Sequence, residues 1–241
     1  LLLTTALTIC GGLGFVVMLN IAQKRRFRRF SLHTKVVLTM TVLLLTVGTL
    51  LLHATQHGLT WVQSFFYSAV TRTSGFSIYD LGDFSNASLL CMVLLMFVGA
   101  APGSTGGGIK VSRFLLMGKT LGKELKQALH PQVVAPVRMD GKLVNHETIR
   151  TTNVFLAAYI FIFAASFMLV SLDGFDMVTN FTSVAATLNN IGPGLNQVGP
   201  MMNFGAYSNF AKLVLIFDML AGRLEIFPML VLFLPDAWRR F

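Results

Sequence analysis

The sequence predicts an all-α integral membrane fold made of repeated helical units. Three observations carry that prediction: long apolar runs without charge, basic residues gathered at the ends of those runs, and the same order of elements met twice. The 241 residues are 54% apolar and 12% charged, against about 25% charged in a soluble domain. No charged residue falls between Lys35 and His53, between Asp83 and Lys110, or between Arg150 and Asp173. Each of these gaps is roughly 17 to 26 residues, long enough to cross about 30 Å of hydrocarbon as a helix. The net charge of +9 would suit a nucleic-acid surface if it were continuous, but it is divided by the apolar runs. Lys24, Arg25, Arg26, Arg28 and Arg29 form one cluster, Lys110 to Arg150 a dispersed second, and Arg239 with Arg240 a third. That placement follows the positive-inside rule and excludes nucleic acid as the partner, leaving anionic lipid or an acidic protein as secondary uses. Cys10 and Cys91 lie within apolar stretches and suggest neither a disulfide nor a metal site.

Residues 1–23 read as the closing M2 helix of a unit that lies upstream, with Gly11-Gly12-Leu13-Gly14 near its inner end. The chain begins at Leu1 in apolar sequence, without the basic start or cleavage site of a signal peptide, so it is expected to be part of a longer protein. Residues 24–35 form a basic cytoplasmic loop. Residues 36–126 form a complete M1–P–M2 unit. Its first span, Val36–Leu52, is followed by a short apolar stretch, Trp61–Val70, then by an apolar run from about Phe84 to Val98. Ten residues make roughly 15 Å of helix, too short to cross, so the middle stretch must enter the membrane and return as a re-entrant pore helix. Residues 127–149 read as a solvated cytoplasmic connector; His130, Pro131, Pro136 and His146 have no metal-ligand spacing. Residues 150–241 repeat the plan: a span at Thr152–Leu172, a short stretch at Met177–Thr187, a polar strip, and a long helix from about Tyr207 to Leu234. Placing Gly75 over Gly192 gives an offset of roughly 117 residues that also aligns the two spans.

The polar strips after the short helices carry the chemistry. Backbone at membrane depth that is neither helix nor closed sheet survives only where protein or a watery cavity satisfies it. A filter for a monovalent cation replaces the hydration shell with backbone carbonyls, and needs small residues and a glycine for unusual dihedrals. It also profits from a helix aiming its negative C-terminal end at the ion path. Thr73, Ser74, Gly75 and Phe76 meet these needs in the first strip, and Asn190, Ile191, Gly192 and Pro193 in the second. Either strip alone would read as an ordinary turn; two, each behind a helix too short to span, point to filter strips around a central ion path. Arg72 is expected to turn its side chain away from that path and anchor the strip.

The stretch Gly99–Gly108 holds five glycines and Pro102 inside what should be one M2 helix. Each Gly costs about 1 kcal/mol relative to Ala in a helix and Pro about 3, so the helix should break here, below the first strip. Gly99, Gly103, Ser104, Thr105, Gly106, Gly107 and Gly108 are therefore gate candidates. A nucleotide-binding loop requires lysine directly after its last glycine, whereas Ile109 intervenes before Lys110. A helix-packing motif leaves Pro102 and the run Gly106-Gly107-Gly108 unexplained. Arg223, in the last long helix, is the further gate candidate, because a charge at membrane depth faces a watery cavity or a partner. Asp218 and Glu225 are near, but their positions around the helix do not favour pairing with Arg223.

Three signatures occur in one order: Phe65-Phe66-Tyr67-Ser68-Ala69-Val70-Thr71-Arg72-Thr73-Ser74-Gly75-Phe76, Pro102-Gly103-Ser104-Thr105-Gly106-Gly107-Gly108-Ile109-Lys110, and Gly222-Arg223-Leu224-Glu225-Ile226. Together they resemble the Trk/Ktr/HKT superfamily of potassium transporters, over essentially the whole chain. The wording around Asn189-Asn190 looks closer to the Trk branch and Thr71-Arg72-Thr73 closer to Ktr, with Trk preferred. The resemblance implies four M1–P–M2 units around one pore, of which this chain carries the end of unit two and all of units three and four. It implies channel-like uptake of potassium, with sodium as a second cation, through carbonyl filters across the cell membrane. K+ would be held at filter carbonyls only, and the gate would be an intramembrane loop with Arg223 facing the pore. It also implies homodimeric pore subunits, a cytosolic ring of nucleotide-binding regulatory subunits, and no cofactor in this chain. An ion-coupled secondary transporter remains the alternative, although its inverted broken-helix pairs are not seen. No nucleophile–base pair or metal cluster at membrane depth supports an enzyme.

Overall fold

The computed structural model describes residues 1–24, 26–130, 132, 136–139, 142–224, 226–233 and 235–238. Helices α1 (Leu2–Leu13) and α2 (Phe15–Lys24) open the chain. The single closing helix expected over residues 1–23 is instead a pair bent by 93°. The corner is Gly14, whose φ of 81° lies in the left-handed region open to glycine. A Cβ there would stand 3.2 Å from the Gly103 carbonyl oxygen. Gly11–Gly14 thus lies at the end of α1, as its glycines suggested, but there the chain turns a corner against the glycine-rich loop and continues as α2.

The first complete unit comprises α3 (Leu32–Thr55), α4 (Trp61–Thr73), α5 (Asn86–Phe97) and α6 (Val111–Leu129). The break expected in its second long helix lies at residues 98–110, between α5 and α6. In the connector, two-residue strands β1 (Arg138–Met139) and β2 (Lys142–Leu143) pair antiparallel, a small departure from an all-helical chain. The second unit comprises α7 (His146–Val170), α8 (Met177–Leu188), α9 (Asn209–Leu224) and α10 (Ile226–Leu232), followed by α11 (Pro235–Trp238). Glu225, Arg25, Pro131, Arg239 and Arg240, all used in reading the sequence, lie outside the described residues, as does the side chain of Lys142. Among the described residues, Leu32–Thr55 and His146–Asp173 are long and apolar enough to cross a membrane. The bent α1–α2 pair passes the same test as one broken span. Phe161 at 75% and Met168 at 71% exposed give α7 the outward apolar face that lipid or further protein would cover.

Polar caps start three helices in each unit, and they repeat in kind. Ser31 Oγ accepts from Thr34 N and Asn145 Oδ1 from Glu147 N at the heads of α3 and α7. Thr60 and Gln63 form a reciprocal capping box on α4, while Asp176 caps α8 through Thr179 N. Ser85 and Ser208 Oγ accept from Ser88 N and Ala211 N at the heads of α5 and α9. The last two caps are also tied back to the end of the preceding span. Ser85 Oγ donates to the Thr55 carbonyl at 2.9 Å, and Ser208 Oγ to Asp173 Oδ1 at 2.7 Å. Each satisfied donor at a helix start contributes about 1 kcal/mol.

The two short helices are the most enclosed elements. In α8, Val184, Ala185, Ala186 and Leu188 are fully buried. Tyr67 of α4 is also fully buried, packed with Leu52, Phe84, Met92 and Leu95. Helix α4 packs on α1, α3 and α5, and α8 packs on α5, α7 and α9, so α5 touches both short helices and joins the units. Beneath them, Val17 of α2 and Val37 of α3 close on Ala101 of the loop.

Candidate ion-conduction site

Helix α4 runs through Thr71–Thr73, three residues past the apolar stretch that predicted it. Thr73 is therefore the last helical residue, and its carbonyl has no partner within the helix, as at any helix C-terminus. Ser74 N and Gly75 N both return to the Val70 carbonyl, at 3.0 and 2.8 Å, and Gly75 has φ 65°. At the end of α8, Asn190 N bonds the Thr187 carbonyl and Ile191 N the Ala186 carbonyl. With Asn190 at φ 56°, this is a Schellman cap with asparagine in the left-handed position. The Asn190 side chain then donates to the Met219 carbonyl of α9 at 3.1 Å. Gly192 follows at φ 117°.

The strips lie side by side. A Cβ on Gly75 would stand 2.4 Å from Pro193 Cδ and 2.6 Å from the Ile191 carbonyl oxygen, so only glycine fits. Among the described residues, no donor reaches the carbonyls of Thr73, Ser74, Gly75, Phe76, Asn190, Ile191, Gly192 or Pro193. Of these residues Ile191 is buried, Phe76 and Gly192 are exposed and the rest are half-buried. The strips therefore border open space, and eight carbonyls without protein donors along it form a concentration of negative dipoles. Tyrosines brace the segments on either side of the strips. Tyr67 Oη accepts from Ile78 N and Tyr79 N beyond the first strip. Tyr207, beyond the second, donates to Asn180 Oδ1 and bonds Ser183 Oγ. Thr182 Oγ1 accepts from Leu195 N, and Tyr159 of α7 donates to Asn189 Oδ1. The sequence reading missed these ties; they join positions with no fixed spacing, and only a buried hydroxyl's need for a partner could have suggested them.

The loop at residues 98–110 is closed at its neck. Gly99 N bonds the Ile109 carbonyl at 3.0 Å and Val111 N the Ala100 carbonyl at 3.3 Å. Its tip rests on the end of α1, where Ala101 N and Thr105 N reach the Gly12 and Gly11 carbonyls at 3.0 and 3.3 Å. Gly103 and Thr105 are exposed, whereas Gly106, Gly107 and Gly108 are buried. A Cβ on Gly106 would meet Thr73 Cγ2 at 3.0 Å, one on Gly107 would meet Asn190 Cβ at 2.7 Å, and one on Gly108 would meet Asn189 Oδ1 at 2.6 Å. The loop glycines Gly106, Gly107 and Gly108 and the starts of both strips thus form one contiguous site, with Gly99 folded against the Gly107 carbonyl.

Charged residues frame this site. Arg72 does turn from the strip, but its partners are loop carbonyls, not a neighbouring helix: Nε donates to Val98 at 3.3 Å and a terminal nitrogen to Gly99 at 3.1 Å. Lys110, buried, donates to the Gly106 carbonyl at 2.7 Å. Arg223 is exposed on α9, beside Gly222, where a Cβ would fall 1.9 Å from the Leu188 carbonyl oxygen. Asp218 is fully buried and accepts from Ser166 Oγ at 2.6 Å, so it braces α9 to α7 and is not paired with Arg223. At the outer end of α8, hydrogen bonds from the Thr179 hydroxyl and backbone and from Asn196 hold the Asp176 carboxyl below the usual range. Among the described residues, no group of three His, Cys, Asp or Glu could hold a metal ion.

The chain aligns over residues 1–239 with the TrkH family, described as cation transport protein. The Trk system potassium uptake protein TrkH of Vibrio parahaemolyticus is 37% identical over 71% of this chain and 35% of its own length. TrkH of Escherichia coli K12 is 37% identical over 73% and 36%. The potassium uptake protein TrkI of Halomonas elongata is 30% identical over 96% and 48%. The crystal structure of the potassium transporter TrkH from Vibrio parahaemolyticus superposes with a TM-score of 0.84 at 30% identity, covering 99% of this chain and 52% of that one. The chain spans about half, or less, of the length of the relatives it matches. The match bears out the all-α membrane fold and the preference for the Trk branch, and places this chain in the TrkH family of cation transport proteins.

Proposed function

We propose that this chain supplies two of the filter strips of a potassium uptake pore, conducting in channel-like fashion through backbone carbonyls, with sodium as a second permeant cation. The observation that carries this reading is the pair of abutting strips whose eight carbonyls lack donors among the described residues. Potassium, which is held by oxygens in place of its hydration shell, fits that chemistry, and the names of the relatives agree with it. The protein then acts as a transporter in the cell membrane, crossing it several times, and not as an enzyme. The loop at Gly99–Gly108 is the gate, seated against both strips and withdrawn in the open state. Arg223 adds an electrostatic barrier whose displacement accompanies opening. The pore subunits pair as homodimers and dock a cytosolic ring of nucleotide-binding regulatory subunits, as the family resemblance implies.

Flux of potassium or rubidium through the full-length protein in liposomes tests this. Gly75→Ser should abolish flux or let sodium compete, because its Cβ collides with Pro193 and the Ile191 carbonyl. Arg223→Ala should raise flux. Unchanged flux and ion preference in Gly75→Ser would reduce the strip to a turn. Uptake that runs only on an imposed sodium or proton gradient would favour the ion-coupled transporter.

A further inference from the structure

Arg72 is 6% exposed in the last turn of α4. A guanidinium buried among membrane helices is costly unless its donors are met. Carboxylates are its usual partners, yet among the described residues none lies within ion-pair distance of Arg72. Its two bonds go to the carbonyls of Val98 and Gly99, the residues at which α5 ends and the glycine-rich loop begins. The planar fork of arginine suits two neighbouring carbonyls, which a lysine ammonium engages as a point charge. The same neck is closed by Gly99 N on Ile109 and Val111 N on Ala100. The tip, in contrast, is held by Ala101 N and Thr105 N on the end of α1, and its buried face is bare glycine.

From this asymmetry we propose that Arg72 is a positioning residue that clamps the neck of the loop to the first pore helix. The loop then hinges beyond Gly99, and the movement of its tip is tied to the position of the first filter strip, which leaves α4 one residue after Arg72. The clamp rests on the reading of the strips as a filter and of the loop as its gate. Neck displacement would strip a buried cation of both its acceptors, so the neck stays while the tip moves. Val98 and Gly99 carbonyls, occupied by the guanidinium, are also withheld from any passing ion.

The test uses full-length protein in liposomes with Thr105→Cys as the sole introduced thiol at the loop tip. Cys91 is kept as an internal reporter of general loosening, since it is buried in α5, and other cysteines are replaced. Modification by a small methanethiosulfonate and rubidium flux are both followed. Arg72→Gln should speed labelling at position 105 by about tenfold and change flux, while Cys91 stays protected. Arg72→Lys, which keeps the charge without the fork, should fall between it and the parent. Equal acceleration at Cys91 and position 105 would mean that Arg72 merely stabilises the fold, and the clamp would be discarded. If Arg72→Gln does not yield monodisperse protein, Arg72→Lys decides alone, parental labelling and flux overturning the clamp. Gly75→Ser run in parallel separates the two ideas. Parental flux in that variant removes the filter itself, whereas altered flux there with parental labelling in Arg72→Gln removes only the clamp.

Discussion

Asn190 shows how one residue can serve local backbone and tertiary structure at once. Its φ of 56° ends α8, and its amide reaches across to the Met219 carbonyl. Asparagine tolerates the left-handed region better than residues with apolar side chains do, for which that conformation costs roughly 1–2 kcal/mol. Asn190→Ala should lose that amount and the amide bonds besides, whereas Asn190→Gly should lose mainly the bonds. Thermal unfolding of the full-length protein in detergent should therefore rank the parent above Asn190→Gly, and Asn190→Gly above Asn190→Ala. The reverse order for the two variants would mean that position 190 does not keep its left-handed backbone once the amide is gone. The sequence shows Asn190 as a small polar residue before Gly192, enough to place it in a strip. It does not show the cap, because a Schellman turn depends on where α8 stops, and α4 stops differently, with Ser74 at φ -140°.

At the level of elements, the short helices and the break near Pro102 were legible, since length, charge and glycine content are local properties. The corner at Gly14 was not. A lone glycine is tolerated in a helix at about 1 kcal/mol, and only its contact with the loop shows why the chain turns there. The clamp by Arg72 was half legible: a buried arginine demands acceptors, but its acceptors lie 26 and 27 residues away. The caps make element-scale predictions of their own. Asp176→Ala should cost α8 about 1 kcal/mol, read as earlier thermal unfolding of the variant than of the parent. The pH dependence has a definite sign. The carboxyl is held below its ordinary value when folded, so its contribution is complete above the unfolded value near 4. It is lost as the pH falls through the lower folded value. Stability should decline in that acid window more steeply for the parent than for Asp176→Ala, and parallel declines would refute the assignment.

For the whole molecule, two units are fused through α5, which lies against both short helices. The large exposed apolar side chains on α7 then report what surrounds the protein. Phe161 falls near the middle of that 25-residue helix, and an arginine at the centre of a span costs about 3 kcal/mol of insertion free energy. Phe161→Arg should therefore deplete the protein from the membrane fraction on expression of the full-length chain. Normal membrane yield would place Phe161 against upstream protein or water. Membrane residence was readable from charge spacing alone. Which outward faces meet lipid was not, because a side chain bound for lipid and one bound for another helix look alike in sequence.

The buried flank of the loop, Gly106-Gly107-Gly108, meets its neighbours without a single side chain of its own. Protein interfaces usually interlock, so that one surface leaves another only when several rotamers rearrange together. A smooth flank has no teeth to disengage. Withdrawal would break a few backbone hydrogen bonds at Gly11 and Gly12 and leave the rotamers of Thr73, Asn189 and Asn190 as they were. As the gate proposed above, such a flank would slide with little friction, and the speed of opening would be set by its tether and not by the surface it leaves.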